Sequence, residues 1–234
     1  LHHEAEKHIK NNYGVSPLDI ALGINEDCAR LLKSFGENHL LMGKCENSYL
    51  DVYLDELPNS KGIVLILTLP RQRGTLFEQI VWNLMRNKYG DNFESFHQPL
   101  LNPYLEMSKK NKGEFMQVYA EVIRGLVKRS TEKPIVIKEV LYYTRNLFFN
   151  RKLLESPNVK VILFSRDPKA AILSMYKARP KDKGMLKMCG YEHLVKINMF
   201  LNYIKKPFIS LDSDGFLEGP LETMDSVSKY LGFC

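Results

Sequence analysis

From Gly62 onward the chain alternates short, β-rich apolar runs with longer segments in which apolar residues recur every three or four positions. Continuous apolar runs of strand length suit strands buried on both faces, and helix-period segments between them suit a mostly parallel sheet covered by helices. The pattern predicts strands at Gly62–Leu69, Asn92–Phe96, Ile135–Lys138, Val159–Phe164 and Pro207–Leu211. It predicts helices at Leu76–Arg86, Gly113–Lys128, Ala170–Ala178, Tyr191–Ile204 and Leu221–Leu231. In the first helix Leu76, Phe77, Ile80, Val81, Leu84 and Met85 make one apolar face. Upstream, Ile20, Leu22, Ala29, Leu31 and Leu32 sustain no period. The expected architecture is α/β: one domain over residues 61–234, with 1–60 a helical and loop segment packed on it. The polar stretches Asn102–Lys112 and Ala178–Lys187 read as loops.

With 234 residues, 44% hydrophobic and 26% charged, the chain has ordinary globular composition. A chain of this length buries roughly 70% of its unfolded surface, so no disulfide or metal is needed for stability. The four cysteines, Cys28, Cys45, Cys189 and Cys234, form no CxxC or CxxH pair, which leaves zinc and redox motifs unsupported. No apolar run approaches the roughly 18 to 20 residues that span a bilayer, and Leu1–Ile9 lacks the apolar stretch of a signal peptide. A soluble, cytoplasmic protein is expected. The net charge of +6 is not gathered in one arm. It recurs near strand ends (Arg71, Arg73, Lys138, Arg166) and over 177–187, which suits a compact anionic ligand better than nucleic acid.

Two segments carry candidate chemistry. Pro70-Arg71-Gln72-Arg73-Gly74-Thr75 joins a strand to an amphipathic helix. Backbone N–H groups and a helix N-terminus there favour an anion, with Thr75 and Arg71 as side-chain partners. An ordinary turn bearing surface arginines has the same sequence. The segment lacks GxxxxGK[ST], so ATP or GTP hydrolysis is poorly supported. In the second segment, Ser165-Arg166-Asp167-Pro168 ends a strand and opens a helix that carries Ser174. Pro168 fits the first turn and Asp167 the cap.

The first segment resembles the phosphosulfate loop (PRSGST or PKSGTT type) of the sulfotransferases that use 3′-phosphoadenosine 5′-phosphosulfate, PAPS. The second resembles their RxPxxxxxS pattern, matched at Arg166, Pro168 and Ser174. The segments occur in that order, about 95 residues apart, and the resemblance extends to the closing Leu231-Gly232-Phe233. It implies a P-loop-like fold, PAPS as donor and PAP as product, and no metal. It implies 5′-phosphosulfate contacts from Arg71, Gln72, Arg73, Gly74 and Thr75, and 3′-phosphate contacts from Arg166 and Ser174. Tyr191 is a stacking residue by looser resemblance. Gln72 stands where the family has Ser, and Arg73 where it has Gly. Leu76 replaces a Trp that follows the loop in cytosolic relatives; Trp82, further along, reads as core.

Sulfuryl transfer needs a group to take the acceptor's proton, and the resemblance looks for it near the second strand, at Phe93–Leu100. Gln98 occupies the place of a family Glu and cannot act as a base. His97 and Glu94 remain, His97 preferred because imidazole titrates near neutrality as a residue type. Lys138 resembles a strand-end Lys of some relatives and would face the sulfuryl group; a solvated Lys beside Glu139 reads equally well. The activity implied is transfer from PAPS to a hydroxyl or amine of a small-molecule, carbohydrate or lipid acceptor. The alternatives are an impaired relative that binds nucleotide or a partner, and a P-loop phosphotransferase of the nucleotide-kinase kind.

Overall fold

A computed structural model of the chain describes residues 54–107, 112–141, 150–178 and 191–233, all within one compact unit, Asn47–Cys234. Most of the N-terminal segment, the four cysteines and nearly all of the stretch from Ala178 to Lys187 lie outside the described residues.

After a 3-10 turn at Leu57–Asn59 the elements run β1 (Ile63–Thr68), α1 (Gly74–Tyr89), β2 (Glu94–His97), α2 (Leu101–Met107), α3 (Lys112–Glu132) and β3 (Ile135–Val140). They continue with α4 (Arg151–Glu155), β4 (Val159–Ser165), α5 (Pro168–Ala178), α6 (Tyr191–Tyr203), β5 (Phe208–Asp212), α7 (Ser213–Glu218) and α8 (Pro220–Leu231). The five strands form one sheet in the order β2-β3-β1-β4-β5, every pairing parallel. This is the α/β architecture that the run pattern predicts. Each predicted strand and helix is present, with ends moved by up to four residues. Leu101–Met107, expected as loop, is helical, and the short helices α4 and α7 were not predicted.

Burial explains the apolar runs. β1 and β3 are buried along their whole length, because neighbours hydrogen-bond on both sides and helices cover both faces. The edge strand β2 alternates half-buried Glu94 and Phe96 with exposed Ser95 and His97. On one face Val64, Ile66, Val136, Ile162 and Phe164 pack against Phe77, Val81 and Met85 of α1, Phe216 of α7 and Val227 of α8. Right-handed crossovers put the helices preceding β3, β4 and β5 on the other face. No helix among the described residues is long and apolar enough to cross a membrane.

The strand order fixes where a ligand can sit. From β1 the chain turns toward β2, whereas from β4 it turns the opposite way, toward β5. The loops leaving β1 and β4 therefore diverge and open a crevice at the carboxyl ends of two adjacent strands, the place where open α/β sheets bind ligands. Pro70–Arg73 and Arg166–Asp167 form its two lips.

Candidate functional site

Arg71 and Arg73 both adopt left-handed backbone, at φ 62° and 59°, with Gln72 between them on the ordinary side. Such alternation turns successive N–H groups toward one concavity, and each left-handed non-glycine residue costs roughly 1 kcal/mol or more. Arg73, where the resembled loop has Gly, thus takes a glycine-like conformation and is the N-cap of α1. Gly74 follows under a different constraint. A Cβ there would lie 2.9 Å from Thr68 Cγ2 and 3.3 Å from Lys138 Cε, so only glycine lets α1 begin this close to the sheet.

The predicted phosphate-binding residues converge. The Tyr191 hydroxyl accepts a hydrogen bond from Gln72 Nε2 at 2.8 Å and donates one to the Arg166 carbonyl at 2.9 Å, tying the two lips together. Arg73 Nη1 meets Asp214 Oδ1 at 2.5 Å, and Arg166 Nε meets the same carboxylate at 3.3 and 3.4 Å. Two guanidinium groups thus share one carboxylate, and the site keeps positive charge. Arg71 is exposed and has no partner among the described residues. Asp167 caps α5 by accepting from Ala170 N at 2.8 Å. Ser174 is half-buried on α5, one of the helices rising from that lip, and its hydroxyl has no partner among the described residues. The ring of Tyr191 packs near Met175 and Ile172.

Three phenylalanines hold this arrangement from beneath. Phe77 stacks on Phe164 at 4.3 Å, and Phe216 meets both edge-on at 6.1 and 6.2 Å. Phe77 lies four residues after Arg73, Phe164 two before Arg166, and Phe216 two after Asp214. A single aromatic cluster, each pair worth about 0.5–1.5 kcal/mol beyond its burial, therefore fixes all three segments that carry the shared charges.

The second half of the site lies toward the β2 edge. Parallel register sets His97 beside Lys138. His97 Nδ1 hydrogen-bonds Glu78 Oε2, the carboxylate of a buried residue one turn into α1. Lys138 is 3% exposed, which rules out the solvated reading. Burial pushes its pKa below the usual lysine value, while the Glu78 and Glu139 carboxylates pull it back. Its stem runs beneath Gly74. Loop, Lys138, Glu78 and His97 are therefore contiguous. Glu94 is not brought to this end: it opens β2, paired with Lys133 at 2.8 Å and Arg129 at 3.2 Å. The hydrogen bond from Lys133 is the main cause of its lowered pKa. Trp82 is not in the core; it is 36% exposed and lines a cleft with Thr75, Gln79, Asn83, Ser95 and His97.

Glu78 and Asp214 are site residues that sequence reasoning missed. Glu78 had one signal: it directly follows Phe77 on the buried side of the helix. Asp214 had none beyond its place after a predicted strand. Among the described residues no group of three His, Cys, Asp or Glu could hold a metal ion.

Glu139, 0% exposed, braces the turn after His97. Its carboxylate accepts from Leu100 N and Val140 N, both at 2.9 Å, while Gln98, left-handed at φ 50°, donates its N–H to the Lys138 carbonyl. Burial raises the Glu139 pKa from 4.5 to about 7, against the opposing pull of those two N–H groups and Lys138. Between those values the folded chain holds a proton that the unfolded chain has released. Stability therefore falls as pH rises through that window, by on the order of 1–3 kcal/mol. Denaturant melts from pH 5 to 8 should show this decline in the native chain and a flatter profile in Glu139→Gln.

No family model matches the chain, and no curated protein matches it. Solved structures do. An uncharacterized protein from Eubacterium ventriosum superposes with a TM-score of 0.40 at 13% identity, covering 71% of this chain and 99% of that one. The sulfotransferase domain of an olefin synthase from Synechococcus superposes with a TM-score of 0.45 at 14% identity, covering 74% of each chain.

Proposed function

We propose that the protein is a sulfotransferase that binds PAPS across the β1/β4 crevice and passes its sulfuryl group to an acceptor at His97. The observation that carries this reading is the convergence of the two motif segments, Gln72 bonded through Tyr191 to the Arg166 backbone. The residues present fit a bisphosphate nucleotide. Arg71 has no anionic partner among the described residues, and Arg166 offers its two η nitrogens beyond the Nε bond to Asp214. The left-handed loop presents N–H groups as further donors.

PAPS, when bound, supplies an S–O bond whose cleavage leaves the 5′-phosphate as leaving group. In the proposed step His97 takes the proton of the acceptor hydroxyl as the new S–O bond forms. Glu78 holds the imidazole through Nδ1, leaving Nε2 for the acceptor and favouring the imidazolium that results. Arg71, Lys138 and the loop N–H groups stabilise the charge that gathers on the departing phosphate oxygen. Glu94, tied into its ion pairs at the far end of β2, has no part in the step.

Calorimetric titration with PAP, followed by assay of sulfuryl transfer from radiolabelled PAPS to a mixed acceptor panel, tests the reading. Micromolar PAP binding and labelled product are expected. Failure to bind PAP at millimolar concentration sinks the donor site; binding without transfer to any acceptor sinks the catalytic half.

A further inference from the structure

The cleft beside His97 has a definite chemical character. One wall is α1, where Thr75, Gln79 and Asn83 recur at four-residue intervals with Trp82 in the adjoining row. The other wall is β2, where Ser95 and His97 share a face because side chains alternate along a strand. The volume is about 580 Å³, within the range of small-ligand sites. No aliphatic side chain and no Lys or Arg lines it.

We infer that this cleft is the acceptor site and that it takes a neutral saccharide or comparable polyol. The assignment deepens the sulfuryl-transfer reading and rests on it for the word acceptor. Two hydroxyls and two primary amides both donate and accept hydrogen bonds, as the hydroxyls of a sugar do, and His97 Nε2 is left to accept one more. A steroid or simple phenol would strip water from these groups and return few partners, at a cost of about 1–3 kcal/mol for each one stranded. The single apolar surface is the Trp82 indole. Its plane is held by the Phe93 ring at 5.8 Å and by the Arg86 guanidinium at 5.2 Å. A flat aromatic ring among amides suits a pyranose, which has an apolar C–H face and a polar rim. Glu78 at the base of the cleft is its one lining carboxylate and already bonds His97, and no Lys or Arg lines the cleft to hold an anion, so a neutral sugar is favoured over an anionic one.

Trp82 is the sole tryptophan of the chain, so intrinsic fluorescence reports this cleft directly. Cellobiose and chitobiose titrated into the protein should shift Trp82 emission. Gln79→Ala and Asn83→Ala, both at exposed positions, should each weaken that binding about five- to tenfold, the loss of one hydrogen bond. With radiolabelled PAPS the same disaccharides should be sulfated in preference to 2-naphthol or a steroid alcohol, and Asn83→Ala should raise the sugar KM more than it lowers kcat. An unmoved emission together with PAP binding and sulfation of only 2-naphthol or the steroid overturns the saccharide assignment and leaves the sulfotransferase reading standing. A sugar-dependent shift in a chain that binds no PAP does the reverse, establishing the saccharide site and removing its role as acceptor.

Discussion

His97→Ala is expected to slow sulfuryl transfer by about 10²- to 10⁴-fold, the usual contribution of a positioned general base, with PAP affinity unchanged within about twofold. The separation follows from geometry. His97 stands at the β2 edge and touches Glu78, whereas the residues proposed to read the donor are joined to each other at the β1/β4 crevice. The side chain is about half exposed, so its removal leaves no cavity in the core. Single-turnover rates with radiolabelled PAPS, beside calorimetry with PAP, make the comparison. Glu78→Gln should fall between the two, because an amide still accepts from Nδ1 but no longer stabilises an imidazolium. Full turnover in His97→Ala would remove the histidine from the mechanism.

Arg166→Ala should weaken PAP binding by about 10- to 100-fold, the worth of a charge-assisted contact to phosphate, and should barely affect 5′-AMP. The contrast isolates the 3′-phosphate, the only phosphate that PAP has and 5′-AMP lacks. Asp214 keeps Arg73 as partner when Arg166 is removed, so the substitution strands no carboxylate. Equal losses for both nucleotides, read by calorimetry, would mean that Arg166 acts on the loop and not on the 3′-phosphate.

The sheet was legible because its central strands carry strand-length apolar runs, unbroken over Ile63–Leu67 and over Ile135–Ile137 before Lys138 and Glu139. Ile63–Thr68 and Ile135–Val140 are covered on both faces, which is why Ile, Val and Leu dominate them and why the charged pair Lys138-Glu139 is buried rather than solvated. The long helices were legible by period. The short ones were not: Arg151–Glu155 and Ser213–Glu218 are too brief to repeat an apolar position, and their starts rest on the side chains of Asn150 and Asp212. Trp82 misled for a related reason. It sits one position beyond the buried Val81, and a bulky indole at the margin of an apolar stripe reads as core although the helix rolls it outward.

In the site, what could be read locally was read. The Arg166 segment and the loop are each contiguous in sequence, so spacing and resemblance reach them. Long-range pairs escape that reasoning. Glu78 meets His97 from 19 residues away, and Asp214 meets Arg73 from 141 and Arg166 from 48. No periodic pattern links such positions, and only the folded sheet brings them together. The same limit explains Lys138, which was placed at a strand end but whose burial depended on Gly74 lying over its stem.

The crowding around Gly74 bears on which substitutions the loop can take as well as on packing. In this loop Gln72 and Arg73 depart from the spelling that the chain otherwise resembles, and both are accommodated, Arg73 by a left-handed backbone and a side chain swung toward Asp214. Gly74 has no such freedom, since a single added carbon would meet Thr68. Substitution can therefore rewrite most of the loop while one glycine and the short side chain that ends β1 are held by contact.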